Sequence, residues 1–182
     1  MYYTLKNPRL PMYKEMKDYI KRHEFQWCYE GQSIANKKFR DDEYLDAPFY
    51  SHTFLTRPEK NKYSRSDSKH TDDVIRTLEE ILEHNKNWLP ISYDRHFWLR
   101  INANCTHPNT GIQVSMPHTD HGFDYWSLIV YLTDTDGNTI IDGEEVEPEE
   151  DKVVLFPGCM HHMRLPTHDR RIIIVGTLFD EG

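Results

Sequence analysis

Residues 153–179 read VVLFPGCMHHMRLPTHDRRIIIVGTLF. The stretch opens on the apolar run 153–156 and closes on a second, 172–175, which continues to Phe179. Both are short, and the second is rich in β-branched residues. Each therefore reads as a buried strand, 153–156 and 171–178. Between them stand the turn Pro157-Gly158 and the pair His161-His162. Arg171 begins the second strand. A buried arginine in that position needs an anion, because an unpaired buried charge is costly. The planar fork of its guanidinium matches a carboxylate with two parallel hydrogen bonds.

Working outward, residues 96–104, 113–116, 125–133 and 138–141 also read as strands. Asp136-Gly137 and Asp142-Gly143 are tight-turn dipeptides. Many short strands with such turns indicate a sandwich or barrel and not a parallel α/β sheet. Upstream of Pro90 the pattern is helical. Val74, Leu78, Ile81 and Leu82 share one face of a helix over 73–86, with Thr71 or Asp72 as its cap. A weaker helix covers 13–22. Residues 25–29 and 49–56 read as strands, and 32–47 as loop. Residues 57–70 carry five basic and two acidic side chains without periodicity, and read as a loop able to act as a lid. Helices that precede the strands are expected to buttress one face of the sheet.

The chain has 182 residues, 37% of them apolar and 13% aromatic, enough for a core and too aromatic for disorder. The expected organisation is one domain over 1–182, with 1–90 supporting a β core at 91–182. The longest apolar runs are too short to cross a bilayer, and the first residues carry no apolar signal region. Cys28, Cys105 and Cys159 are odd in number and widely spaced. That disfavours a disulfide framework or a cysteine zinc site and points to the cytoplasm. Net charge is −8, and nine acidic residues fall within 134–151. Such a balance disfavours a nucleic-acid partner, which needs a basic stripe.

No phosphate-binding loop, dinucleotide fingerprint, G-x-S-x-G or H-E-x-x-H occurs. What remains is histidine and carboxylate. In His118-Thr119-Asp120, residues two apart on an extended chain project to one side. With a distant histidine they would make a 2-His-1-carboxylate set, which leaves open positions on a non-haem Fe(II). The other His-x-Asp, His70-Thr71-Asp72, lies where the loop meets the helix, and capping accounts for Asp72 better.

Together, His118-x-Asp120, the downstream Phe156-Pro-Gly…His162…Pro166 and Arg171 nine residues after His162 resemble the Fe(II)/2-oxoglutarate-dependent dioxygenases. The similarity is greatest to the prolyl-4-hydroxylase-like branch with its short bacterial and phage members, and covers about residues 96–180. It implies a mainly β fold with N-terminal helices, a double-stranded β-helix (jelly roll, cupin-like). It implies Fe(II) on His118, Asp120 and His162, and 2-oxoglutarate with its far carboxylate on Arg171 and Tyr131. It further implies O₂ as oxidant and a small-molecule or peptidyl substrate hydroxylated as succinate and CO₂ form. Asn102 and Asn104 alternate on one earlier strand, where some relatives contact the co-substrate. His121 reads as solvent-exposed, and Cys105 and Cys159 as small buried hydrophobes. His161 with Arg170 has the same spacing of nine as His162 with Arg171. Pro166 and the apolar run starting after Arg171 favour the latter pair, and a one-residue slip would exchange both pairs together. A cupin-like binding module without turnover remains an alternative. So does a nucleic-acid demethylase, although Thr177 stands where that branch has a second arginine.

Overall fold

The computed structural model describes residues 1–30, 47–58, 64–109 and 113–182. Its elements run β1 (Tyr3–Leu5), α1 (Pro11–Lys21), β2 (Cys28–Glu30), β3 (Phe49–Leu55), α2 (Thr71–Asn85) and β4 (His96–Thr106). They continue with β5 (Trp126–Tyr131), β6 (Thr139–Ile141), β7 (Glu144–Val146), β8 (Val153–Pro157), β9 (His161–Met163) and β10 (Arg171–Asp180). Seven strands form one antiparallel sheet in the order β1-β8-β5-β10-β4-β3-β2, and three form a small sheet in the order β7-β6-β9. Strands distant in sequence lie side by side, as β8, β5 and β10 do. This is the two-sheet jelly roll expected of the sequence.

The central strand β10 is apolar on both faces because both faces are covered. Ile172, Ile174 and Leu178 enter a large core beneath the helices, with Leu128 and Val130 of β5 and Ile101, Ala103 and Cys105 of β4. Tyr13, Met16 and Ile20 of α1 and Val74, Leu78, Ile81 and Leu82 of α2 close that core. The alternate residues Ile173 and Val175 face inward between the sheets, with Ile129, Tyr131, Ile141, Val154 and Phe156. Period-two alternation therefore puts Arg171 on the inner face.

On β4 a bulge changes the parity. Trp98 pairs with Leu178 and Arg100 with Thr177, so Leu99 is the extra residue. Trp98 and Ile101 both join the helix-side core as a result. Arg100, Asn104 and Thr106 then line the interior.

Several expectations change. Residues 113–116 form an isolated bridge, Val114 to Arg164, instead of a strand. The strands β1, β7 and β9 have three residues each, too short for a periodic signal. Strand β2 begins at Cys28, later than read. The first three strands belong to the main sheet, so the N-terminal part does more than buttress it. Thr71 is the first helical residue of α2 and not its cap. Its hydroxyl donates to the Phe54 carbonyl at 2.7 Å, and His70 holds the cap position without a side-chain bond. Asp72 and Asp73 do sit in the first turn, where the helix dipole favours them. Asp142 and Gly143 have φ of 49° and 83°, as a type I′ turn between β6 and β7 requires. The loop read over 32–47 falls almost wholly outside the described residues, as do 59–63 of the lid read over 57–70. Among the described residues no helix is long and apolar enough to cross a membrane.

Candidate metal and co-substrate site

His118 and His161 meet as an isolated antiparallel bridge. The His118 N–H donates to the His161 carbonyl at 3.0 Å, and the His161 N–H to the His118 carbonyl at 2.9 Å. Directly opposed residues project to the same side, and the two rings lie 4.6 Å apart. Each Nδ1 faces a backbone carbonyl, of Met116 at 3.1 Å and of Cys159 at 2.9 Å. A carbonyl only accepts, so each Nδ1 carries the proton and each Nε2 keeps its lone pair.

Asp120 lies two residues beyond His118 and is 7% exposed. Its Oδ1 accepts from Arg100 Nη1 at 2.8 Å and Arg57 Nη2 at 3.1 Å. Its Oδ2 stands 3.6 Å from His161 Nε2. The Asp120 N–H donates to the Tyr125 hydroxyl at 2.7 Å, which fixes the backbone. Burial alone would raise this carboxyl, but Arg100 first, then the two histidines and Arg57, hold it at about 2. His118 shifts the other way. Burial, with the neighbouring charges of His161 and Arg100, lowers its pKa below 6.5. An ionised carboxylate and a neutral imidazole are the forms that bind metal. One ligand atom from each of His118, Asp120 and His161 lies within 4.8 Å of the other two. Two imidazole nitrogens and one carboxylate oxygen suit a non-haem Fe(II) with open positions.

The third member is His161, where the spacing argument expects His162. Strand β9 pairs with β6 so that His161 opposes Ile141 and His162 opposes Ile140. Ile141 belongs to the inner core, so His161 points inward and the pleat turns His162 the other way. His162 borders the same cavity but is not one of the converging group. The expected paired exchange also fails, since Arg171 faces inward together with His161. Residues 164–170 form a turn with Asp169 at φ 53°, and parity does not carry across it. Arg170 is exposed and donates to the Lys21 carbonyl at 3.2 Å.

Arg171 is 3% exposed. Its Nε donates to the Gly137 carbonyl at 2.9 Å and its Nη2 to Thr139 Oγ1 at 2.7 Å. Thr139 Oγ1 also meets the Tyr131 hydroxyl at 2.6 Å, and the guanidinium lies 5.5 Å from the Tyr131 ring. A Cβ on Gly137 would stand 3.0 Å from Arg171 Cδ, so close approach, not a left-handed turn, calls for glycine there. No described carboxylate pairs with Arg171, and burial lowers its pKa. Among the described residues the cation is held by the Gly137 carbonyl, the Thr139 hydroxyl and the Tyr131 ring.

His118, Asp120, His161, Thr139 and Arg171 share one cavity of about 660 Å³, lined also by Asn104, Thr106 and Ile173, while Tyr131 lies behind Thr139 and does not reach its surface. Asn104 Oδ1 is buried without a hydrogen-bond partner. The orphaned amide, the unpaired guanidinium and the N,N,O donor set together fit a metal ion with an anionic co-ligand. Arg57 and Arg100 escape the sequence reading. Arg100 alternates with Asn102 and Asn104, a signal the sequence does hold, whereas Arg57 sits in a stretch with no period. His121 is buried, contrary to expectation, with Nε2 2.8 Å from Thr177 Oγ1 and its ring beside Tyr125. Cys105 is buried in the helix-side core and Cys159 packs against the inner one.

No known family profile matches the sequence, and no curated protein matches it. Solved structures do. An oxidoreductase of the 2OG-Fe(II) oxygenase family from Burkholderia pseudomallei superposes with a TM-score of 0.60 at 12% identity, covering 84% of this chain and 71% of that one. A prolyl hydroxylase from Trichoplax adhaerens, solved with a hypoxia inducible factor oxygen degradation domain peptide, gives 0.60 at 14%, covering 99% and 84%. A Pseudomonas putida prolyl-4-hydroxylase gives 0.51 at 12%, covering 100% and 93%. With a His-Asp-His group between its two sheets, the chain has the jelly-roll fold of the 2-oxoglutarate–Fe(II) oxygenases.

Proposed function

We propose that the protein is an Fe(II)- and 2-oxoglutarate-dependent dioxygenase that hydroxylates a C–H bond of its substrate. The observation that carries this reading is one cavity holding both the His118/Asp120/His161 donor group and the unpaired, buried Arg171. A jelly roll that only bound metal would have no use for such a cation, and fold alone would not decide. His118 and His161 donate through Nε2 and Asp120 through its carboxylate. Arg171 takes the far carboxylate of 2-oxoglutarate, and Tyr131 aligns it through Thr139. When bound, the metal and co-substrate would supply an oxidative decarboxylation in which O₂ is the oxidant, one of its oxygen atoms ending in succinate as CO₂ leaves and the other in the hydroxylated substrate.

The chain's own part is to hold these groups and keep the chamber dry. Ile129, Ile173 and Val175 form its apolar wall. A low dielectric there strengthens the Arg171–carboxylate attraction. We place the activity in a reducing compartment such as the cytoplasm, where Cys28, Cys105 and Cys159 remain free. We also take residues 1–182 to work as one domain, since β1 to β3 complete the sheet that carries Arg171.

The test is an anaerobic titration of the metal-free protein with Fe(II), then with 2-oxoglutarate, following the visible charge-transfer band of the chelate. A saturating band, with slow succinate release once air is admitted, supports the reading. Iron binding without a band would leave a metal-binding jelly roll. No iron binding would remove the proposal.

A further inference from the structure

Asp120 is gripped on one side of its carboxylate. Each oxygen of an ionised carboxylate offers about two lone-pair directions. Among the described residues the side-chain hydrogen bonds of Asp120 both fall on Oδ1, from Arg100 Nη1 at 2.8 Å and Arg57 Nη2 at 3.1 Å. Two guanidinium donors therefore fill Oδ1. Oδ2 takes neither and faces His161 Nε2 at 3.6 Å. That nitrogen keeps its lone pair, because its Nδ1 donates to the Cys159 carbonyl. Two acceptors thus face each other, as suits a cation between them.

The other donors of the two arginines strengthen the same grip. Arg57 Nη1 donates to the Asp120 carbonyl at 3.0 Å, so one guanidinium holds both the backbone and the side chain of this residue. Arg100 Nη2 donates to the Asn102 amide oxygen at 3.2 Å, with the amide turned so that its nitrogen donates to the Ile101 carbonyl. The backbone beneath both arginines is pinned. The Thr56 N–H donates to the Arg65 carbonyl at 3.0 Å, and the Asp67 N–H to the Phe54 carbonyl at 2.9 Å. Ser64 Oγ donates to the Leu99 carbonyl at 2.7 Å, which ties this pairing to the bulge that aims Arg100.

We propose that Arg57 and Arg100 are positioning residues that occupy Asp120 Oδ1 and so limit this carboxylate to one donor atom, Oδ2, toward the metal. This inference deepens the oxygenase reading above and rests on it. A carboxylate left to itself binds a metal through one oxygen or through both. Three protein donor atoms leave about three positions on an octahedral ion. A fourth would take one of the positions that the co-substrate and O₂ need. The clamp keeps that position open by withholding an atom from the metal.

The test uses the Mn(II)-loaded protein without turnover. The water-proton relaxation rate at saturating metal scales with the number of waters on the ion, and is read before and after adding 2-oxoglutarate. The parent should keep about one water when the co-substrate chelates through two oxygens. Arg57→Met frees a lone pair of Oδ1. Its relaxation rate should fall by about a third without co-substrate, and the contribution of bound water should vanish with it. Arg57→Lys, which retains a cationic donor, should restore the parent value. An arginine that only supports the fold would lower metal affinity about 10–100-fold and leave the water count at saturation unchanged. An unchanged count overturns the inference, whatever the affinity. Infrared difference spectra of the parent with isotope-labelled aspartate, Zn(II)-bound minus metal-free, read the same property without a variant. A wide separation between the two carboxylate stretches marks one-oxygen binding, and a narrow one overturns the inference. In either case Mn(II) and 2-oxoglutarate binding by the parent leaves the oxygenase reading standing. If the parent binds neither, both proposals fall.

Discussion

Replacing His161 and His162 one at a time by alanine separates two histidines that the sequence alone treats as equals. His161 contributes one of three donor atoms that lie within 4.8 Å of each other, and its Nε2 faces Asp120 Oδ2 at 3.6 Å. Loss of a group that merely orients a metal ligand lowers affinity about 10–100-fold. Loss of a ligand itself should exceed the upper end, so His161→Ala should weaken metal binding by at least about 100-fold, or about 2.8 kcal/mol. His162 projects from the other side of β9. His162→Ala should therefore stay within about threefold of the parent. The assay is anaerobic titration with Mn(II), counting the free ion by its paramagnetic resonance signal. Thermal unfolding of both metal-free variants controls for damage to the fold, since His161 also packs on Phe156 at 5.5 Å. The opposite order, with His162→Ala losing the metal and His161→Ala keeping it, would mean that β9 runs in the other register. The reasoning from its pairing with β6 would then be wrong.

Three further outcomes are expected. Arg171→Gln should leave Mn(II) affinity intact but weaken 2-oxoglutarate by about 100- to 1,000-fold, the cost of breaking a buried ion pair; an unchanged co-substrate affinity would remove Arg171 from the site. Gly176→Ala places a Cβ 2.5 Å from the Trp98 ring on the helix side, so unfolding stability should drop by about 1–3 kcal/mol with metal binding unaffected; equal stability would show that Trp98 yields freely. His118 has a folded-state pKa below 6.5, so the unfolded chain takes up its proton first as pH falls. Its contribution to the stability of the metal-free protein is complete above about pH 6.5 and is lost on acidification through the lower folded value. That part of the melting-temperature slope should vanish in His118→Ala, and a slope identical in both proteins would contradict the burial of His118.

The sequence exposes this fold where period and length are sufficient. The run from Arg171 shows its strand because seven consecutive buried residues follow, and α2 shows itself through Val74, Leu78, Ile81 and Leu82. His118 and Asp120 are visible as a pair because they are two apart in an extended segment. The third ligand is not, because counting from Arg171 back to the histidines crosses a turn that breaks the parity. Strand β1 is hidden for another reason, since its partner β8 lies some 150 residues away and only the tertiary fold brings them together. Arg57 belongs to no periodic element, so nothing in the chain around it announces its contact with Asp120. His121 is misread because its burial comes from Tyr125 and Thr177, which close over it from different strands and loops.

The extra residue on β4 has a consequence for how this chain tolerates changes of length. Along 100–106 the side chains alternate between the polar chamber and the apolar core under the helices. Removing any one residue from 101–103 would send Asn104 and Thr106 into the core and Cys105 into the chamber. Leu99 is the exception. Deleting it would cost one buried apolar side chain, but would restore an unbroken pleat from Trp98 to Arg100 with every other residue still on its own face. The strand can therefore be shortened at Leu99 without exchanging its faces, and that place lies next to the arginine that grips the metal-site carboxylate.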